Sequence, residues 1–207
     1  MRRLFILLIL LCSFTLTACA EEGFSLSTVS DGAGGVLLSG YSGTPEASFL
    51  LPDAIDRLPV TGIADGAFVS LVVDSLSLPR SIRSIGKGAF RESTVREIRF
   101  SHGLTEIGDE AFASCVNLVG CAFPETLTTV GDKAFEGCTA LLYVTLPESV
   151  SELRGNPFEG CTSLESLPMV NGHPYFRLDG GSLISLSGGR VICSLNLPEA
   201  EEEPAAN

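Results

Sequence analysis

The chain has 207 residues, of which 25 are acidic and 13 basic, and its formal net charge is −12. So acidic a surface repels nucleic acid and anionic lipid headgroups, which excludes a nucleic-acid-binding role and favours basic or cation-bridged protein partners. The two histidines, His102 and His173, stand in turn-like sequences and are expected to be surface residues rather than catalysts. No nucleophile elbow, phosphate loop or close pair of zinc ligands is present. The sequence therefore predicts no catalytic residue, no metal site and no cofactor, and it predicts that the protein is not an enzyme.

The chain opens with Arg2 and Arg3, followed by an unbroken apolar run from Leu4 to Leu11. This leader is too short for a transmembrane helix and is typical of a signal peptide. Leu16-Thr17-Ala18-Cys19 resembles the bacterial lipobox, in which a small residue precedes a cysteine that receives lipid. We expect residues 1–18 to be a lipoprotein signal peptide and Cys19 to carry the lipid. Ordinary cleavage nearby, with Cys19 uninvolved, is the alternative.

Residues 19–50 are predicted to form an N-terminal β cap. Two apolar runs, 24–27 and 35–41, flank the turn sequence Asp31-Gly32-Ala33-Gly34, a pattern that indicates a hairpin. Glu21 and Glu22, close behind Cys19, resemble the surface-export signal of some Gram-negative lipoproteins. We therefore expect a membrane-anchored location in the cell envelope, on the outer membrane or the cell surface.

A column of phenylalanines recurs every 22 or 23 residues through the middle of the chain: Phe68, Phe90, Phe112, Phe135 and Phe158. A fixed period of this length indicates a stacked-repeat architecture. An aliphatic residue stands five positions before each phenylalanine: Ile63, Ile85, Ile107, Val130 and Leu153. One unit has no second layer to cover its apolar face, so the copies are predicted to stack into one continuous core.

Each repeat reads as a short strand, a turn and a short helical segment. Alternation such as Val144-Thr145-Leu146 predicts the strand, and the proline after it ends the strand. A glycine directly follows the aliphatic residue in three repeats and is expected to adopt positive φ in a turn: Gly86, Gly108 and Gly131. Aspartates close behind are expected to cap one helical turn that carries the phenylalanine inward: Asp65, Asp109 and Asp132.

Three cysteines each follow a phenylalanine by three positions: Cys115, Cys138 and Cys161. Their equivalent places in three repeats predict an inward column of buried, reduced thiols that act as small hydrophobic groups. Five cysteines follow Cys19, and an odd number at repeat spacing does not indicate a disulfide framework.

These columns resemble the BspA-like leucine-rich repeats, a bacterial cell-surface class. The segment from Ile107 to Phe112, with Cys115 and Leu118 behind it, follows the pattern of that class, and so does the segment from Val130 to Val150. The resemblance implies a repeat solenoid, a right-handed coil of short parallel strands with turns and short helical or 3-10 segments, capped by β-hairpins. About five repeats are expected in residues 51–168. A C-terminal β-hairpin cap is expected in residues 169–197, and a disordered acidic tail in residues 198–207.

The outward positions of the predicted strands form the candidate binding face, in particular Glu97, Arg99, Tyr143 and Thr145. An equally good interpretation is that this row is a plain solvated surface. Two functions remain open. The first is a surface-anchored lipoprotein that binds or adheres to a protein partner or a host or extracellular ligand. The second is a periplasm-facing structural or assembly lipoprotein without an external ligand.

Overall fold

The computed structural model describes residues 16–18, 24–169 and 172–195, which form strands joined by turns. The strands are β1 (Leu16–Ala18), β2 (Ser25–Ser30), β3 (Val36–Ser42), β4 (Ser48–Leu50), β5 (Ala54–Ile55), β6 (Leu58–Ile63), β7 (Ser75–Ser77), β8 (Ser84–Ile85), β9 (Glu97–Arg99), β10 (Glu106–Ile107), β11 (Gly120–Ala122), β12 (Thr129–Val130), β13 (Tyr143–Thr145), β14 (Glu152–Leu153), β15 (Phe176–Asp179), β16 (Ser182–Ser185) and β17 (Val191–Ser194). The described ranges contain no helix, so the expected helical or 3-10 segments are single turns instead.

Two long sheets run along the molecule, and each coil of the chain supplies one strand to each. Sheet A has the order β1-β2-β3-β6-β8-β10-β12-β14, with β5 paired to β6, and sheet B has the order β13-β11-β9-β7-β4. Neighbouring coils pair in parallel, as in Ser75↔Glu97 and Ile85↔Ile107. This confirms the predicted repeat solenoid. The predicted strands correspond to sheet B and begin one residue earlier than expected, whereas the sheet A strands at the aliphatic column were not predicted.

The phenylalanine column is the centre of the core. The first four rings are fully buried, and successive rings from Phe68 to Phe135 stack with centroids 5.2–5.3 Å apart and planes within 11° of parallel. Tyr41 of β3 stacks on Phe68 at 5.6 Å, and Phe158 stacks on Phe135 at 5.9 Å. A backbone hydrogen bond also joins neighbouring coils at this column: Phe90 N donates to Ala111 O over 2.7 Å. The column is therefore a continuous stack that begins in the N-terminal strands.

The repeated glycines have a different role from the one predicted. Gly86, Gly108 and Gly131 do not have positive φ; a Cβ on any of them would collide with the backbone of the preceding coil. On Gly108, for example, a Cβ would lie 2.9 Å from the carbonyl carbon of Gly86. Glycine is needed there because coils approach closely. The left-handed conformation occurs two residues before the phenylalanine, at Gly66, Gly88, Glu110 and Lys133.

The repeated aspartates also act between coils rather than within one. Asp65 Oδ1 accepts from the backbone N–H of Lys87 at 2.7 Å. Asp109 Oδ1 accepts from Asp132 N at 2.9 Å, and Asp132 Oδ1 accepts from Asn156 N at 3.0 Å. The prediction that these carboxylates cap a helical turn of their own coil is therefore wrong. Each one satisfies a backbone donor of the next coil.

The thiol column forms a ladder of bonds to the phenylalanine column. The Sγ atoms of Cys115, Cys138 and Cys161 donate to the carbonyls of Phe90, Phe112 and Phe135 over 3.1–3.2 Å. Ser93 is an unpredicted fourth member, and its Oγ donates to Phe68 O at 3.0 Å. All the cysteines of the described ranges are free thiols and buried, as predicted for the three column members.

Different structures close the two ends of the coil. At the N-terminal end, antiparallel strands β1, β2 and β3 extend sheet A, with Val36 of β3 paired in parallel to Val60 of β6. At the C-terminal end, Tyr143 and Leu146 make parallel bridges to Ser166 and Met169, which continue sheet B by one short step. The strands β15, β16 and β17 then form a separate antiparallel sheet, sheet C.

A candidate binding face on sheet B

Every strand of sheet B turns its first and third residues outward and its central residue inward. In β9, for example, Ile98 is buried, whereas Glu97 and Arg99 are exposed. Because the strands pair in register, the outward residues form two columns across the sheet. The first column is Ser48, Ser75, Glu97, Gly120 and Tyr143. The second contains Leu50, Ser77, Arg99, Ala122 and Thr145.

Charged residues in the middle of this face have no ionic partner. Glu97 and Arg99 are exposed, and neither makes a salt bridge with any described residue. The same holds for Arg96 and Asp74, which directly precede strands β9 and β7. Elsewhere, Lys87, Arg91, Lys133 and Arg154 pair with glutamates, whereas Arg57 and Arg83, beside strands of sheet A, make no salt bridge with a described residue. The face therefore presents guanidinium and carboxylate groups that other molecules can reach.

Tyr143 lies over the backbone of the neighbouring strand. A Cβ at Gly120 would collide with the Tyr143 ring, at Cε1 and Cζ, so the ring occupies the place that any larger residue would fill. The ring is nevertheless 46% exposed. Gly120 thus positions an aromatic side chain that is partly available for contact.

A shallow groove of about 720 Å³ crosses the face between these groups. Its lining brings together three of the four predicted residues, Glu97, Arg99 and Tyr143, around the small residues Gly120 and Ala122. Thr145 does not line the groove; it is half-buried beside Ala122 on the next strand. Sequence reasoning missed Asp74 and Arg96, which also line it. They stand one residue before the strands, a position that recurs in every repeat and that a register-based analysis would have examined.

Neither histidine forms part of a site. His102 is exposed in a turn, as predicted. His173 is only 3% exposed, so the prediction of a surface residue is wrong: its Nε2 lies 3.0 Å from Pro147 O, and its Nδ1 accepts from Tyr175 N. The ring joins the last coil to sheet C. Among the described residues, no group of three or more potential ligands could hold a metal ion.

The pKa values of the buried thiols are those of packed core groups. Burial raises the pKa of Cys161 to about 12 and that of Cys193 to about 11. The pKa of Cys138 is also raised, first by its interaction with the neighbouring Cys115 thiol and then by burial. These groups stay protonated at neutral pH, which is opposite to the behaviour of a nucleophilic cysteine.

A coil of stacked repeats with an open strand face is the architecture of repeat proteins, a class that typically serves as binding scaffolds. The family model described as "BspA type Leucine rich repeat region (6 copies)" matches residues 61–177. The chain belongs to this family.

The chain is also similar to solved structures of bacterial leucine-rich repeat proteins. A leucine-rich repeat protein of T. pallidum is 35% identical with a TM-score of 0.65; the match covers 72% of this chain and 70% of that protein. A leucine-rich cell surface protein of Faecalibacterium prausnitzii is 30% identical with a TM-score of 0.63, and the match covers 71% of this chain and 38% of that one. A leucine-rich repeat protein of Bacteroides ovatus, at 24% identity and a TM-score of 0.62 over 73% of this chain and 42% of its own, supports the fold alone. Among curated proteins, no match was found.

Proposed function

We propose that this protein binds a protein partner through the groove of sheet B while a lipid on Cys19 holds it at the bacterial cell surface. The observation that carries the binding proposal is the combination of Tyr143, positioned on Gly120, with Arg99 and Glu97, which lack ionic partners in the described structure. Tyrosine and arginine are the residues that most often dominate the binding energy of protein interfaces. The groove places both beside small residues that leave room for a partner side chain.

The cell-surface location is supported by the family and by the F. prausnitzii relative, whose name describes a cell surface protein. Adhesion to another cell or to extracellular material is one form that such binding takes. The anchor is supported by the lipobox-like sequence that ends at Cys19, a residue outside the described ranges. No helix of the described structure is long and apolar enough to span a membrane. Acyl chains on one cysteine would provide membrane attachment without such a helix.

Lipoprotein processing would also change the N-terminal end of sheet A. The predicted cleavage lies between Ala18 and Cys19, and residues 16–18 form β1, which pairs with β2. Cleavage would remove β1 together with the signal peptide and leave β2 as the outer strand of sheet A. The repeat coils and the groove of sheet B contain no residue from that segment.

Variants of the groove test the binding proposal. Immobilised full-length protein would be incubated with surface extracts of the bacterium and of host cells, and recovered proteins would be quantified by mass spectrometry. We expect a partner whose recovery falls with Arg99→Ala and with Gly120→Val, because the first removes the guanidinium and the second displaces the Tyr143 ring. Arg91→Ala is the matched control, because Arg91 is also an exposed arginine and lies on the phenylalanine-bearing turns, away from the groove. Recovery that responds equally to all three variants, or to none, would contradict the proposal.

Cell fractionation tests the anchor. Cys19→Ser should release the protein from the membrane fraction and leave its thermal unfolding unchanged, since Cys19 lies outside every repeat column. Equal membrane retention of both forms, or a wild-type N-terminus without acyl mass, would show that the lipobox interpretation is wrong. Digestion of intact cells with protease then separates the two locations: a surface protein is degraded, whereas a periplasm-facing envelope subunit is protected.

A further inference from the structure

Among the described residues, no strand pairs with the outer side of β4, so β4 forms an open edge of sheet B. Sheet A continues beyond its first coil into β3, β2 and β1, but sheet B ends at Ser48–Leu50. Ser48 and Leu50 are exposed, and Leu50, at 69%, is the most exposed large apolar residue of the described chain. Natural proteins usually protect such edges with charges, bulges or covering segments. Here the three residues of the strand carry no charge.

The backbone bonds of β4 show which groups are free. Ala47 O accepts from Ser75 N at 3.0 Å, and Leu51 N donates to Ser77 O at 3.1 Å. Alternate residues of a parallel strand direct both of their backbone groups to the same neighbour. Residues 47, 49 and 51 therefore face β7, whereas the N–H and C=O groups of Ser48 and Leu50 point away from the sheet. An extended segment could accept and donate hydrogen bonds along this line.

Carboxylates surround the open edge. Glu46 precedes the strand, Asp53 follows it, and Asp74 precedes the paired strand β7. All three side chains are exposed, and none makes a salt bridge with another residue in the described parts of the chain. A second copy of the chain, paired antiparallel at this edge, would bring Glu46 of one molecule toward Asp53 of the other. Like charges at that spacing oppose self-pairing and favour a basic partner.

We propose that the β4 edge accepts an extended segment of a protein partner as a sixth strand of sheet B, and that this segment carries apolar residues between lysines or arginines. The backbone of the segment bonds to Ser48 and Leu50, an apolar side chain contacts Leu50, and the basic ends face Glu46 and Asp53. This mode of strand addition is a recurring form of peptide recognition. This edge shares Asp74 with the groove of sheet B, but β4 itself does not line that groove, so the backbone pairing proposed here does not depend on the groove.

Hydrogen exchange followed by NMR on the full chain in mild detergent tests the proposal. The probe is a synthetic peptide of alternating valine and threonine with paired lysines at both ends. Without peptide, the amides of Ser48 and Leu50 should exchange faster than those of Phe49 and Leu51. With peptide, the Ser48 and Leu50 amides should become protected. A peptide with glutamates in place of the lysines should give no protection, because charge complementarity would be lost.

Two variants separate backbone pairing from loose contact. Leu50→Pro removes an N–H that points away from β7, so the fold should persist while binding of the peptide weakens about tenfold or more. Leu50→Ala keeps the N–H and should weaken binding less. Unchanged binding by Leu50→Pro, or protection that does not include Ser48 and Leu50, would overturn the proposal. Protection that rises with protein concentration in the absence of peptide would overturn it in favour of self-association.

Discussion

At the scale of single residues, the thiol column joins neighbouring coils through one donor each. Cys138 donates from Sγ to Phe112 O at 3.2 Å, and Ser93 makes the equivalent bond to Phe68 O with a hydroxyl. We expect Cys138→Ser to be tolerated, because serine already occupies this place in another coil. Cys138→Val should cost about 1–3 kcal/mol, because Phe112 O loses its thiol donor in the core. Urea unfolding of the two variants measures the difference, and equal losses would contradict the ladder.

Two buried thiols, Cys161 of the column and Cys193 of β17, make stability depend on alkaline pH. Burial raises the pKa of Cys161 to about 12 and that of Cys193 to about 11, whereas an unfolded thiol titrates near 8.5. Above about pH 8.5 the unfolded chain loses these protons and the folded chain keeps them, so stability falls as pH rises toward the folded values. We expect a loss of about 1.4 kcal/mol per pH unit for each thiol in this window. Urea midpoints between pH 7.5 and 10.5, under reducing conditions, should fall, and Cys161→Ser with Cys193→Ser should reduce the slope.

The inter-coil glycines are a further single-residue constraint. A Cβ on Gly131 would collide with the backbone N of Asp109 and lie 2.5 Å from the carbonyl carbon of Gly108. Gly131→Ala should therefore destabilise the protein by about 1–3 kcal/mol, as overpacking does. Gly40→Ala is the control, since its nearest atom, Ala67 O, would be 3.9 Å away. Thermal unfolding should separate the variants, and equal melting temperatures would show that the coils can move apart at little cost.

At the scale of elements, the phenylalanine column is the main source of packing between coils. Phe112→Ala and Phe135→Ala should cost about 3–5 kcal/mol each, because both rings are fully buried and stacked on two sides. Sequence reasoning would expect a smaller loss for Phe68, which begins the column. The structure places Tyr41 on its outer side, so Phe68→Ala should cost as much. Phe158, stacked on Phe135 alone within the column, should be the mildest site in denaturant unfolding; equal losses throughout would contradict the stack.

The repeat and its inward columns could be predicted from the sequence because they recur at a fixed period. The strands of sheet A at the aliphatic column could not, because a two-residue strand such as Ser84–Ile85 contains no alternation to detect. The role of the inter-coil glycines was also hidden. A recurring glycine indicates a backbone constraint, but close approach and positive φ give the same sequence pattern, and only the packing of Gly131 on Asp109 distinguishes them.

Part of the candidate site followed from strand alternation, which turns Glu97, Arg99 and Tyr143 outward. The contact of the Tyr143 ring with Gly120 could not be predicted in this way, because it depends on the register between two strands. Asp74 and Arg96 were missed since alternation was applied only inside the strands. Their contribution to the groove depends on how the preceding turn orients the residue before each strand.

At the scale of the whole molecule, the ion pairs among the described residues lie outside the face of sheet B. Sheet A, the phenylalanine-bearing turns and sheet C carry the ion pairs, for example Arg154 with Glu106 and Arg177 with Asp179. Exposed pairs of this kind add little stability. The groove of sheet B presents Arg96 and Arg99 without such pairs among the described residues, and exposed arginines elsewhere, such as Arg57, are unpaired as well. What distinguishes the groove is the combination of these arginines with the half-exposed Tyr143, and this combination favours sheet B as the surface that meets a partner.

Photo-crosslinking in intact cells is the most direct test that sheet B is the binding surface. A photoreactive phenylalanine would replace Tyr143 in one strain and Tyr175 in another; the two side chains are 46% and 45% exposed, but Tyr175 lies next to sheet C. We predict a discrete protein adduct from position 143 that Arg99→Ala abolishes, and no such adduct from position 175. Equal adducts from both positions, or an adduct from position 175 alone, would contradict the assignment of binding to sheet B.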